Sequence, residues 1–314
     1  MRFMLSLFSL AVMATAAPAQ QRELLSDTLA ARLLVPAYVF PGTTPGSAEL
    51  KYWDALIAAA TADCPIVAVI NPASGPIDRA TPEMEPARVK TYTDLLVRAA
   101  KENKHLTFVM YVSLANSKTK QIGMQVEFAV RPDAADDIDA WLKHYPPDTH
   151  PNLAGFFFDE HPAFDKDQIA AARKVRDYAA KRLPGGVVFL NLGRANGGAA
   201  ILTRDLPNEV AILWEYPASE SLKDKFALPA WADEKAKGAY VFPRHRFAVL
   251  IHSKAKLDAE FVPLINDPPP AGKRVGWLFV TDREMGRDRH PWDKLPPYWG
   301  ELVKAVQTQN APKK

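Results

Sequence analysis

Short apolar runs alternate with longer amphipathic stretches along this chain. The runs fall at residues 33–40, 66–70, 106–112, 155–158, 187–190, 210–214, 247–251 and 276–280. They are rich in Val, Ile, Leu and Phe, and turn formers or polar residues end them, so each predicts a strand buried on both faces. The clearest case is Gly155-Phe156-Phe157-Phe158, followed directly by Asp159 and Glu160. Val210-Ala211-Ile212-Leu213-Trp214 repeats the arrangement and leads into Glu215. Pro36 falls inside the first run, where it removes a ladder donor and blurs the strand's limits.

The stretches between the runs carry helical spacing. In 88–103, Val89, Tyr92, Leu95, Leu96 and Ala99 recur on one face. In 133–144, Ile138, Trp141 and Leu142 form the apolar side behind an acidic first turn that complements the helix dipole. Further helices are predicted over 52–60, 167–182, 259–265 and 298–307, with a long polar segment at 116–125 and either a helix or a loop around Ile201. Strand and helix alternating eight times predict a single-domain α/β fold, a (β/α)8 TIM barrel occupying residues 20–314. The competing architecture is an open doubly wound sheet. No G-x-G-x-x-G follows the first strand, so a dinucleotide site has no support.

A barrel gathers the carboxyl ends of its strands at one mouth. The residues at those ends are Tyr38, Asn71, Ser113, Asp159, Glu160, Asn191, Glu215, His252 and Asp282. Carboxylates among hydrogen-bonding side chains are what glycosidic bond cleavage requires. One carboxylic acid protonates the leaving oxygen, and an ionised one attacks the sugar or activates water. Asp159, Glu160 and Glu215 are the candidate catalytic residues, and the other six are candidate substrate contacts. Asp159 and Glu160 are adjacent, so on a regular strand they point to opposite faces. Which of them is the direct catalyst stays open, as does the choice between retaining and inverting chemistry. His252 with Asp282 or Asp159 has the residue types of a metal site, but the spacing is generic, and neither metal nor cofactor is expected. His161 reads as a supporting or surface histidine.

The remaining composition narrows the setting. Arg2, an apolar run over 3–14 and Ala17-Pro18-Ala19 form a cleavable signal peptide spanning residues 1–19, which predicts a secreted or periplasmic protein. No other run is long enough for a membrane span. The single cysteine, Cys64, offers no internal disulfide and reads as a small buried hydrophobe. A net charge of +3 without a basic, aromatic-interleaved stripe gives no support to nucleic acid as a partner. The expected partner is a polysaccharide substrate, bound by a monomer.

Several motifs, in order, resemble the spherulin-4 family (spherulation-specific family 4), a group of glycoside hydrolases. They are Leu34-Val35-Pro36 with Tyr38 and Pro41-Gly42; Asn71-Pro72 with Ser74-Gly75-Pro76; Tyr111-Val112-Ser113; Gly155 with Phe157, Asp159 and Glu160; and Asn191 with Gly193, then Glu215. Phe247-Ala248-Val249-Leu250 with His252, Val280-Thr281-Asp282, Pro291-Trp292-Asp293 and Tyr298-Trp299 complete the series. The resemblance implies a (β/α)8 barrel that cleaves α-1,4-linked N-acetylgalactosamine within galactosaminogalactan, a biofilm exopolysaccharide. It also implies that the family's essential acids correspond to Asp159, Glu160 and Glu215. The chain departs from the family at Leu192, where Pro is frequent, and at Arg194, where a small hydroxyl residue is common. His161 and a longer 116–127 segment are further departures. These departures bear on the substrate more than on the reaction class.

Overall fold

Eight parallel strands close on themselves in the computed structural model. It describes residues 24–311 except 27, 78–84, 116–120, 123–124, 127–128, 194–200, 218–227, 237–238, 258–273 and 287–289. In chain order the elements are β1 (Arg32–Ala37), α1 (Ala48–Ala59), β2 (Ile66–Ile70), α2 (Glu85–Glu102), β3 (Leu106–Ser113), α3 (Ala134–His144), β4 (Leu153–Asp159), α4 (Lys166–Arg182), β5 (Val187–Asn191), β6 (Glu209–Pro217), β7 (Phe247–His252), β8 (Trp277–Val280) and α5 (Trp299–Asn310). Each strand pairs with its sequence neighbours, and β8 closes the ring on β1 through Arg32↔Trp277 and Leu33↔Leu278. This is the (β/α)8 barrel expected from the alternation. Two short antiparallel ribbons, Gln121–Ile122 with Gln125–Val126 and Lys235–Ala236 with Ala239–Tyr240, stand outside it. Among the described residues no helix is long and apolar enough to cross a membrane.

The strands are continuous apolar runs because both faces are covered. Phe156, Phe157 and Phe158 are all buried, alternating between the barrel interior and the surrounding helices. Gly155 is fixed by close approach: a Cβ there would lie 1.8 Å from the Val187 carbonyl oxygen on β5. Pro36 is tolerated in β1 because pairing with β8 stops at Leu33, so no donor is missed on that side. The strand ends at Ala37, three residues short of the limit expected from the run.

The helices begin and end where the sequence stops them. Ser47 caps α1 by accepting from the Leu50 N–H at 3.1 Å, and Asp165 caps α4 by accepting from Asp167 and Gln168. The helix expected at 259–265 lies outside the described residues, as do Arg194, the signal peptide and much of the polar segment at 116–125. Residues 201–208 contain no helix. Two buried charges hold the start of β6: Arg176 on α4 bonds to the Glu209 carboxylate, and Arg246, just before β7, donates to the Glu209 carbonyl. Burial lowers the Arg246 guanidinium to about 10, still fully charged at neutral pH. The pair therefore holds the foot of β6, whose upper half carries Glu215.

Candidate active site

Three neighbouring strands bring the site together. Asp159 is the last residue of β4 and Asn191 the last of β5, while Glu215 sits two residues inside β6, which continues to Pro217. A register shift between β6 and β7 leaves Leu213 unpaired between Ile212 and Trp214 and changes the alternation just before Glu215.

Asn191 links the two acids. Its Nδ2 donates to Asp159 Oδ1 at 2.7 Å and also to Glu215 Oε2. Its Oδ1 accepts from the Gly193 N–H at 3.1 Å, which fixes the NH2 end towards the carboxylates. Asp159 also accepts from the Tyr111 hydroxyl at 2.7 Å and from the Glu160 N–H at 2.9 Å. Tyr111 is itself held from behind, because the Trp141 indole on α3 donates to its carbonyl at 2.8 Å.

Glu215 holds its proton more tightly than a free carboxyl does. Burial, then the nearby Asp159 charge, push its carboxyl up to about 7, against hydrogen bonds from Asn191 and Trp292 that favour the ionised form. A carboxyl held there is partly protonated at neutral pH. Glu160 is also raised, by partial desolvation of its carboxyl and by Asp159, although the residue as a whole is exposed.

Asp159 and Glu160 do not diverge as strand alternation requires. The strand ends at Asp159, and Glu160 adopts a left-handed backbone with φ 56°. That turn brings both carboxylates to the same cavity. The Glu160 carboxylate accepts from the Ser113 hydroxyl at 2.8 Å.

The cavity, of about 740 Å³, is lined by all three acids and by Tyr38, His252, Glu284, Met285, His290 and Trp292. Tyr38 meets Tyr111 edge-on at 5.6 Å and His290 at 5.1 Å. Burial and the surrounding acids hold the Tyr38 hydroxyl well above its usual range, so it remains a neutral donor. His252 is buried with Nδ1 at 2.9 Å from Ser253 Oγ, and burial lowers its pKa. A smaller cavity of about 230 Å³ adjoins the same acids and is walled by residues 161–164 and Leu192.

Three predicted contacts are placed differently. Ser113 touches Glu160 without lining either cavity. Asn71 turns its Oδ1 to the Gly75 N–H at 2.9 Å and so closes its own loop. Asp282 lies beyond β8 beside the Arg283–Asp293 ion pair and lines neither cavity. Sequence reasoning did not single out Tyr111, Glu284, Met285, His290 or Trp292 as site residues. The only signals for any of them were the motifs Tyr111-Val112-Ser113 and Pro291-Trp292-Asp293. His161 is buried with its Nδ1 at 2.9 Å from the Pro162 carbonyl, and burial beside Arg176 depresses it to about 3, which fits a neutral supporting residue.

No curated protein matches this sequence. Among solved structures, the chain is similar to cyclic α-maltosyl-(1→6)-maltose hydrolase from Arthrobacter globiformis in complex with maltose, at 10% identity over 91% of this chain and 84% of that one, TM-score 0.48. It is also similar to endoglucanase Cel5A of Pseudomonas stutzeri in complex with cellobiose (13% identity, 90% and 93% covered, TM-score 0.47). A third likeness is to PhdJ bound to a substrate intermediate (12% identity, 80% and 67% covered, TM-score 0.38). The sequence profile of Spherulation-specific family 4 matches residues 32–306, nearly all of the barrel and its closing helix. The chain therefore belongs to Spherulation-specific family 4.

Proposed function

We propose that this protein is an exported glycoside hydrolase that cuts within an amino-sugar polysaccharide. Glu215 is its general acid, and Asp159 is the carboxylate at the anomeric carbon. The observation that carries this reading is the Asn191 amide, which holds Asp159 and Glu215 together, with Glu215 pushed up to about 7. Acid-assisted glycoside cleavage needs a carboxyl that can be protonated at working pH beside a second carboxyl at the anomeric carbon.

Glu215 gives its proton to the glycosidic oxygen as the bond to the anomeric carbon breaks. Asp159 has both oxygens occupied as acceptors, from Tyr111, Asn191 and the Glu160 N–H, so it takes the role of nucleophile. Both acids bond one nitrogen, which keeps their nearest oxygens within about 5 Å of each other. The glycosyl-enzyme bond to Asp159 is then broken by a water that loses its proton to Glu215, restoring both acids. Glu160 contributes negative charge that raises Glu215 and favours the cationic sugar of the transition state.

The family resemblance supports α-1,4-linked N-acetylgalactosamine or galactosamine as the substrate. The pattern of residues 1–19 supports export. The experiment is incubation of the mature chain with galactosaminogalactan and a panel of other polysaccharides, with mass spectrometry of the products. Release of oligosaccharides supports the reading. A polymer that is bound but never shortened favours a carbohydrate-binding protein on the same barrel.

A further inference from the structure

The two cavities at the barrel mouth share Asp159, Glu160, Gly193 and Glu215 but extend in different directions. The larger one is completed from the ends of β1, β7 and β8. The smaller is completed from the ends of β4 and β5, through Pro162, Ala163, Phe164, Asn191 and Leu192. In the ring order β1-β8-β7-β6-β5-β4-β3-β2, β8 and β4 stand opposite each other. The catalytic pair therefore lies between the cavities.

The exposed apolar residues follow the same division. Isolated surface hydrophobics are normal and need no explanation. Phe164 at 67% and Met285 at 60% are, however, the most exposed of the large hydrophobics among the described residues, and each lines one of the two cavities. Behind Phe164 the wall is apolar and buried, formed by Pro162, Ala163 and Leu192. At the other end stand carboxylates and the Asn191 amide. A pyranose ring has the same two-sided character, with a C–H face for an aromatic surface and hydroxyls for polar groups.

We propose that the smaller cavity is a second sugar subsite, across the Asp159–Glu215 pair from the main cavity, with Phe164 as its stacking platform. The assignment rests on the glycoside hydrolase reading and gives it a direction: the polysaccharide runs from the β8 side to the β4 side, with the scissile bond over the acids. Subsites on both sides of the acids would take the middle of a chain.

The test reads binding without turnover. Glu215→Gln protein is titrated by calorimetry with a purified α-1,4-linked N-acetylgalactosamine hexamer, with and without Phe164→Ala. Loss of the platform is expected to weaken binding about tenfold, and Phe164→Trp is expected to restore it to within about threefold. Phe164 is exposed, so the fold persists, which circular dichroism checks. A Phe164→Ala affinity within about twofold of the parent would overturn the subsite, as would a Phe164→Trp variant no better than Phe164→Ala. No hexamer binding by the parent would overturn both readings. Phe164-dependent binding by a wild type that never cleaves would leave the subsite standing and refute the reaction.

Discussion

Asn191 donates to Glu215 from the neighbouring strand, and its own carbonyl is tied to the Gly193 N–H, so the amide cannot turn over without losing both bonds. That contact works against the influences that make Glu215 hold its proton. The hydrogen bond favours the ionised carboxylate, while burial and Asp159 oppose it and win, which leaves the group at about 7.

The pH profile follows with a definite sign. A general acid works only when protonated, so kcat/KM should fall as pH rises through about 7. In Asn191→Ala the favouring bond is gone, Glu215 holds its proton more tightly, and this alkaline limb should move to higher pH. The loss of positioning should also lower kcat by about 10- to 100-fold. An alkaline limb that stays put or moves down in the variant would contradict the role given to Asn191.

Much of this was legible from the sequence, and what was not has a physical reason. Eight buried runs were readable because a parallel barrel buries both faces of each strand, so 156–158 could be three Phe in succession. The ends of β4 and β5 were readable for the same reason: the apolar run stops where the core meets solvent. The bridge from Asn191 to Asp159 and Glu215 was not, because it spans 32 and 24 residues of chain and exists only once β4, β5 and β6 lie side by side. Asn71 misled through its chemistry, since an Asn followed by turn formers has a local use for its side chain. Tyr111 was read as part of an apolar strand because only its terminal hydroxyl does polar work.

Glu160 was expected to face away from Asp159, and its backbone shows why it does not. A left-handed conformation at φ 56° costs a non-glycine residue about 1 kcal/mol. Glycine relieves that strain and alanine does not. Glu160→Gly should therefore be more stable to denaturant than Glu160→Ala by about 1 kcal/mol, with both lacking the same carboxylate. Equal stability, or a more stable alanine variant, would show that the turn is not strained.

Gly155 carries a prediction about the scaffold. With Val187 carbonyl oxygen 1.8 Å from any added Cβ, Gly155→Ala forces β4 and β5 apart beneath Asp159 and Asn191. The cost should be about 3 kcal/mol or more, read as a lower denaturation midpoint or as loss of soluble protein. A variant that melts within a few degrees of wild type would mean that the strands yield easily, and the site geometry would not depend on this contact.

The most direct measurement is the turnover of Glu215→Gln on galactosaminogalactan, beside wild type, with circular dichroism and melting to confirm the fold. The amide keeps the shape and hydrogen-bonding reach of the side chain but has no acidic proton to deliver. Wild type should release oligosaccharides, and the variant's kcat should fall by about 10²- to 10⁴-fold with its fold intact. A folded Glu215→Gln protein that cleaves the polymer at close to the wild-type rate would contradict the central claim that Glu215 supplies the proton.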